Sequence, residues 1–236
     1  MTDPTLPTYR LDDGIAVITL DDGKANVFST PALEALEAIL DQVEADAARA
    51  LVIVGRPGRF SAGFNLAEMT ESVEGMRALV ARGARWWLRL YGLGIPTVAA
   101  GTGHALAGGA ITLLSCDVRF GADIPCKIGL NEVSIGMPLP IFAVELARER
   151  LTKASFTRST MGAQVYDPAG AAKAGYLDEV VPEADLLDTA LAEARRLGEL
   201  RTGAYARTKQ NARAAIIASC LESLDHDMSS VGAPTP

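Results

Sequence analysis

Gly101-Thr102-Gly103-His104-Ala105-Leu106-Ala107-Gly108-Gly109-Ala110-Ile111 follows a strand-like apolar run, Ile95 to Ala100, and opens a short buried-helix sequence, Ala110 to Leu114. Two adjacent glycines at a helix mouth let the backbone approach a partner that a Cβ would hold off. The free N–H groups of a first helical turn carry the positive end of the helix dipole. Such a junction suits a fixed anion, or an oxyanion that develops only during reaction. Tight packing of a helix on a sheet explains the same glycines. The surrounding sequence has to separate these readings.

Outward from that stretch the pattern is strand, helix, strand. Ile15 to Leu20 is a strand ending in the turn Asp21-Asp22-Gly23. Ser29 or Thr30 can cap a helix with Pro31 in its first turn and Leu33, Leu36, Ile39, Leu40 and Val43 at helical spacing. Ala50 to Val54 is a fully apolar strand of the buried kind. A loop spans Gly55 to Met69, and a helix follows from Val73 to Tyr91. Strand sequences cover Asp117 to Phe120 and Lys127 to Leu130, and Gly175 to Val181 is a turn and a strand. Helices are expected from Pro138 to Leu151, Lys153 to Met161, Pro168 to Ala174, Ala184 to Leu197 and Gly203 to about Ser223. Ser229 to Pro236 reads as a frayed tail. This alternation is an α/β pattern. It divides into a core, residues 1–183, and a C-terminal helical region, 184–236, suited to packing on the core or on a neighbouring subunit.

Composition narrows the function classes. The chain has 236 residues, 49% hydrophobic, and a net charge of −7. That acidity argues against nucleic acid as the main partner. No apolar stretch reaches spanning length and the N-terminus is polar, so neither membrane nor signal peptide is expected. Cys116, Cys126 and Cys220 lack metal-ligand spacing, and there are only 2 histidines. The cysteines read as buried thiols in a reducing cytoplasm, with no metal site.

A second glycine loop, Ala62-Gly63-Phe64, also follows a buried strand. Two backbone donors converging on one oxygen form an oxyanion hole, and losing one such donor costs roughly 3–4 kcal/mol of barrier. Spacing alone does not show that the loops meet. Phe60-Ser61-Ala62-Gly63-Phe64-Asn65-Leu66-Ala67-Glu68-Met69, then His104 to Ala110, then Ser115-Cys116-Asp117, and finally Tyr176-Leu177-Asp178-Glu179-Val180-Val181-Pro182, together resemble the crotonase superfamily, also called enoyl-CoA hydratase/isomerase. The similarity runs from about Tyr9 to Ser223. It implies the crotonase (ClpP-like) α/β fold, a spiral of ββα units with trailing helices, assembled as a homotrimer or a dimer of trimers. It also implies an acyl-CoA thioester substrate that carries its own CoA, with no tightly bound cofactor. By position, the oxyanion donors are the N–H groups of Phe64 and Gly108.

The same resemblance bears on the proton chemistry. Hydratases of this superfamily use two glutamates. One stands three residues after the oxyanion glycine of the second loop, where this chain has Ile111, and isoleucine exchanges no proton. The other falls in a strand-end motif matching Ile128-Gly129-Leu130-Asn131-Glu132-Val133, and Glu132 is present. A lone carboxylate resembles the enoyl-CoA isomerases of the superfamily, where one base takes a proton from C2 and returns it at C4. A half-buried Glu132 walled by Ile111, Phe64 and Met137 is expected to have a raised pKa. Rival readings are hydration with one glutamate, another enolate reaction such as decarboxylation, and a non-catalytic acyl-CoA-binding protein.

For CoA, the family resemblance points to the backbone of Lys24, Ala25 and Val27 around the adenine, with Ala62 and Leu66 as further contacts. Lys24 is the first candidate for local positive charge and Lys209, on the terminal helix and acting from another subunit, a weaker one; Arg56 and Arg59 read equally as contacts to the CoA phosphates and as solvated loop arginines. Asn65 reads as a helix cap and His104 as a packed loop residue. Met69, Met76, Trp86, Trp87, Met137 and Phe142 line either an acyl tunnel or the core, and Met137-Pro138-Leu139-Pro140 shapes the acyl pocket.

Overall fold

The computed structural model describes residues 6–230. The polar start, 1–4, and the tail beyond Ser230 lie outside the described residues. Strands β1 (Thr8–Asp12) and β2 (Ile15–Leu20) form a hairpin, then come β3 (Val27–Phe28) and α1 (Thr30–Ala45). Next are β4 (Ala50–Gly55), β5 (Gly58–Ser61), β6 (Gly63–Phe64), α2 (Leu66–Glu71) and α3 (Val73–Gly92). The following unit is β7 (Thr97–Gly101), β8 (Gly103–Leu106) and α4 (Gly108–Ser115). Then β9 (Val118–Ala122), β10 (Ile128–Gly129) and α5 (Ile141–Arg150) repeat the order. Helices α6 (Lys153–Thr160) and α7 (Pro168–Ala174), strand β11 (Glu179–Val181), and helices α8 (Leu186–Gly198) and α9 (Thr202–Ser230) complete the chain.

Each turn of the chain visits two sheets. A six-stranded sheet has the order β1-β2-β4-β7-β9-β11, parallel except for the β1–β2 hairpin. After each of β4, β7 and β9 the chain makes a short strand, β5, β8 or β10, in a second parallel sheet ordered β10-β8-β5. A helix then carries it back. The two short strands β3 and β6 pair with each other.

The six-stranded sheet is covered on both faces, which is why its strands read as unbroken apolar runs. Side chains alternate across a strand. Ala16, Ile18, Leu51, Ile53 and Ala99 face the main core with α1, α3 and α4. Ile15, Val17, Val52, Val98 and Ala100 face the other way, against Leu186, Ala190, Ala194 and Leu197 of α8. So α8, just beyond the expected boundary at 183, lies on the sheet of its own chain, and α9 buries Cys220, Leu224 and Met228 in the main core.

Local chemistry sets the helix ends. The Ser29 hydroxyl accepts from Ala32 N–H, with Pro31 in the first turn of α1. The stretch 55–69, expected as a loop, contains β5, β6 and the start of α2, and Asn65 caps α2 by accepting from Ala67 N–H at 2.9 Å. Helix α5 starts at Ile141 rather than Pro138, because Pro140 disfavours helical backbone at the residue before it. Helix α9 continues to Ser230, so Ser229 and Ser230 are helical. Of the three free cysteines, Cys116 and Cys220 are buried and Cys126 is partly exposed.

Asp117 ties the C-terminal helix to the sheet. Its carboxylate accepts from Lys209 Nζ at 2.8 Å, Arg213 Nη1 at 2.6 Å, Tyr205 Oη at 2.8 Å and the Thr97 N–H at 2.9 Å. Burial pushes this carboxyl up, but Lys209 and Arg213 outweigh it and hold it below the ordinary range. Breaking a buried pair from one side leaves the other charge uncompensated. Asp117→Ala is therefore expected to lower stability by about 3–5 kcal/mol in chemical denaturation. A loss within about 0.5 kcal/mol, as for an ordinary surface change, would show that the cluster does not bind α9 to the sheet.

Candidate active site

The two glycine loops meet. A Cβ built on Gly63, whose φ is +90°, would lie 2.8 Å from Ala107 Cβ and 3.1 Å from Gly108 N. A Cβ on Gly109 would lie 2.3 Å from the carbonyl oxygen of Ser61. Only glycine fits either position. The N-cap of α4 is Ala107, at φ 48° and ψ −119°, with no side-chain hydrogen bond to the helix start. A non-glycine residue held in such backbone is strained, and strain of this kind concentrates at functional sites. It sets the turn that presents the α4 N-terminus, including the Gly108 N–H, beside the first loop.

Several side chains brace this junction. Asn26 is buried and its Nδ2 donates to the carbonyls of Leu20, Arg59 and Phe60. Ser61 Oγ donates to Asn26 O at 2.7 Å and accepts from Gly63 N–H at 3.1 Å. Trp87 is fully buried under Gly108, its Nε1 donating to Thr112 Oγ1 at 2.9 Å, and its ring contacts Phe28, Phe64 and Phe142. Sequence reading left Trp87 undecided and did not find the bracing roles of Asn26 and Ser61. The available signal was Asn26 itself, a residue type that tolerates its φ of 55°.

Pairing of β8 with β10 brings the acid to the loops. Leu106 stands opposite Gly129, and Ala107 N–H donates to Gly129 O at 3.1 Å. Glu132 lies three residues beyond, at the start of a 3₁₀ turn, Glu132–Ile135, and not at a strand end. A cavity of about 200 Å³ opens there, shared by Glu132 with Phe64, Met69, Ile111, Met137 and Phe142. Among the described residues Asn131 is its other polar lining residue. Glu132 is only 9% exposed, more buried than the sequence suggested, and its Oε2 has no hydrogen-bond partner. Burial in these apolar surroundings pushes the carboxyl up to about 7. Asn131, named from sequence only as part of the motif around Glu132, also has a buried Oδ1 without a partner.

The other expected residues divide. Ala62 and Leu66 line the cavity, and Leu66 is 67% exposed at its mouth. Val27 pairs with Gly63, and Ala62 N–H donates to Ala25 O at 3.0 Å, so the loop 24–27 lies against the first glycine loop. Lys24 is exposed beside Arg56, which donates to its carbonyl. Lys209 does not reach this region: it is buried against Asp117 and Ile95 O, which corrects its reading as a CoA contact. His104 sits on β8 and its Nδ1 accepts from Lys127 N–H. Met69, Met137 and Phe142 line the cavity, whereas Met76, Trp86 and Trp87 belong to the core. Among the described residues no group of three or more His, Cys, Asp or Glu is placed to hold a metal ion, and no helix is long and apolar enough to cross a membrane.

Along most of its length the chain is similar to known proteins. The family model for enoyl-CoA hydratase/isomerase matches residues 10–231. Human mitochondrial enoyl-CoA delta isomerase 1 is 31% identical over 220 residues, covering 91% of this chain and 72% of the relative. A crystal structure of an enoyl-CoA hydratase/isomerase family protein from Pseudomonas syringae superposes with a TM-score of 0.93 at 40% identity, covering 96% of this chain and 98% of that one. An apo enoyl-CoA isomerase structure from Mycobacterium tuberculosis gives 0.91 at 34% identity, covering 98% of this chain and 100% of that one. The fold is the crotonase fold. Curated relatives include both isomerases and hydratases.

The raised Glu132 pKa has a stability consequence. The folded state holds this proton more tightly than the unfolded chain, so the contribution is full below about pH 4.5 and is lost as pH rises through about 7. Glu132→Gln is expected to stabilise the protein above about pH 7, by up to roughly 3–4 kcal/mol at about 1.4 kcal/mol per pKa unit. Denaturation of both proteins at about pH 5 and pH 8 tests this. A difference that does not grow with pH would contradict the raised pKa.

Proposed function

We propose, starting from the fact that the chain belongs to the enoyl-CoA hydratase/isomerase family, that it moves the double bond of a 3-enoyl-CoA to the 2-position. The observation that carries the reading is Glu132: among the described residues it is the one ionisable side chain lining the cavity, it faces apolar walls, and Ile111 stands where a second acid would be needed. The thioester oxygen sits between the Phe64 and Gly108 N–H groups. Glu132, deprotonated, takes a proton from C2; the electron pair delocalises over the dienolate to that oxygen. The same carboxylic acid then returns the proton at C4, so the double bond ends between C2 and C3 and no atom is gained or lost. A carboxyl near 7 is suited to both halves, since it must accept and release one proton at neutral pH.

In this reading Lys24, Ala25 and Val27 hold the adenine end of CoA, and Ala62 and Leu66 line its path to the cavity. No further cofactor is required, because the CoA arrives with the substrate. The protein acts in the cytoplasm as a homotrimer or a dimer of trimers. Asn131 gives hydration its specific support, because an unpartnered amide oxygen beside Glu132 can orient a water.

Two outcomes are expected. Glu132→Gln lowers turnover of 3-enoyl-CoA by about 10²–10⁴-fold and leaves CoA-ester binding intact. In the wild type, kcat/KM rises with pH to a plateau, with a midpoint near about 7, because the base must be ionised in the free enzyme. Products of 3-enoyl-, 2-enoyl- and saturated acyl-CoA in deuterated water are followed by mass. A 3-hydroxyacyl product from 2-enoyl-CoA, without isomerisation, replaces this reading by hydration. Tight binding without turnover or exchange replaces it by an acyl-CoA carrier.

A further inference from the structure

One wall of the cavity is made from Met137, Pro138 and Pro140, in a stretch with no helix or strand of its own. Its two prolines carry no N–H and cannot be tied down through a backbone donor. The wall runs straight into α5, whose N-cap is Pro140 and which has no cap from its own neighbouring side chains. The first N–H of α5, that of Ile141, is taken instead by Asp227 Oδ2 at 2.7 Å, from α9, 86 residues further on. A carboxylate at this place both satisfies an orphan donor and meets the positive end of the α5 dipole. The next residue, Phe142, is buried, lines the cavity and stacks on Trp87 with ring centroids 5.9 Å apart.

Asp227 is held firmly enough to do this. Leu224, about one turn earlier, and Met228, the next residue, are 2% and 5% exposed in the core. Asp225 lies 3.5 Å from Arg85, and Ser229 O accepts from Arg77 Nη2 at 2.9 Å. The last turns of α9 are thus fastened along α3, and one carboxylate reaches across to the wall of the acyl cavity.

We infer that Asp227 is a positioning residue for acyl-chain selection: it fixes the junction between the Pro138–Pro140 wall and Phe142, and so sets how long an acyl chain the cavity accepts. The inference rests on the acyl-CoA reading above, though not on which reaction follows binding. Without the Asp227 bond the wall moves outward and long chains gain over short ones.

The test is calorimetric binding of butanoyl-, octanoyl- and tetradecanoyl-CoA to the full chain, with thermal unfolding measured alongside. Asp227→Ala is expected to shift the Kd ratio of tetradecanoyl- to butanoyl-CoA by about fivefold in favour of the long chain, the size of one lost helix cap. Asp227→Asn keeps an acceptor oxygen of equal capping strength and is expected to restore the wild-type ratio. Equal weakening at every chain length marks a merely structural residue and overturns the inference, as does an unchanged ratio. Wild-type protein that binds no acyl-CoA overturns it together with the proposed function. Acyl-CoA binding together with 3-enoyl-CoA left unchanged overturns only the isomerase reading, and the ratio still decides the role of Asp227.

Discussion

Two stretches of backbone approach each other more closely than side chains permit, and the site depends on that approach. Ser61–Gly63 and Ala107–Gly109 meet where any Cβ on Gly63 or Gly109 would overlap a neighbouring atom. Contact at this range places the end of the first loop beside the start of α4. It also explains the bracing. Asn26 and Ser61 hold the first loop with side-chain hydrogen bonds, and the β8–β10 register and the strained Ala107 hold the second. Trp87 fills the space beneath both. None of these residues needs to touch a substrate to matter, because the spacing of the N–H groups follows from them.

The chain treats its buried carboxylates in opposite ways. Asp117 is surrounded by cations and hydrogen-bond donors, so it stays ionised and ties α9 to the sheet. Glu132 has apolar walls and a free oxygen, so its charged form is disfavoured. A structural role rewards full satisfaction of the charge. A proton-carrying role is better served by a carboxyl balanced between its two forms. Leaving Glu132 unsatisfied costs stability at neutral and alkaline pH, a common trade at functional sites.

Much of the fold was legible because its signals are local. The apolar runs of β2 and β4, the Ser29 cap with Pro31, and the helical spacing of Leu33 to Val43 depend only on near neighbours. The two-residue strands β3 and β6 were not legible, since each exists only through its pairing with the other, whereas β10 falls inside the expected strand Lys127 to Leu130. Lys209 was misread for a related reason. A lysine in a surface-like helix gives no local sign that Asp117, 92 residues earlier, will bury it.

The sequence by itself determined the two glycine loops, the lone Glu132 and the isoleucine at position 111, because residue type alone fixes which backbone can approach closely and which side chain can carry a proton. Tertiary structure decided that the loops touch, that Glu132 is buried with its Oε2 unpartnered, which aromatic residues line the cavity and which form its floor, and that Asp227 reaches the start of α5. Those are facts of distance and solvent exclusion between residues far apart in the chain. They arise only when β8 pairs with β5 and β10 and when α9 folds back along α3.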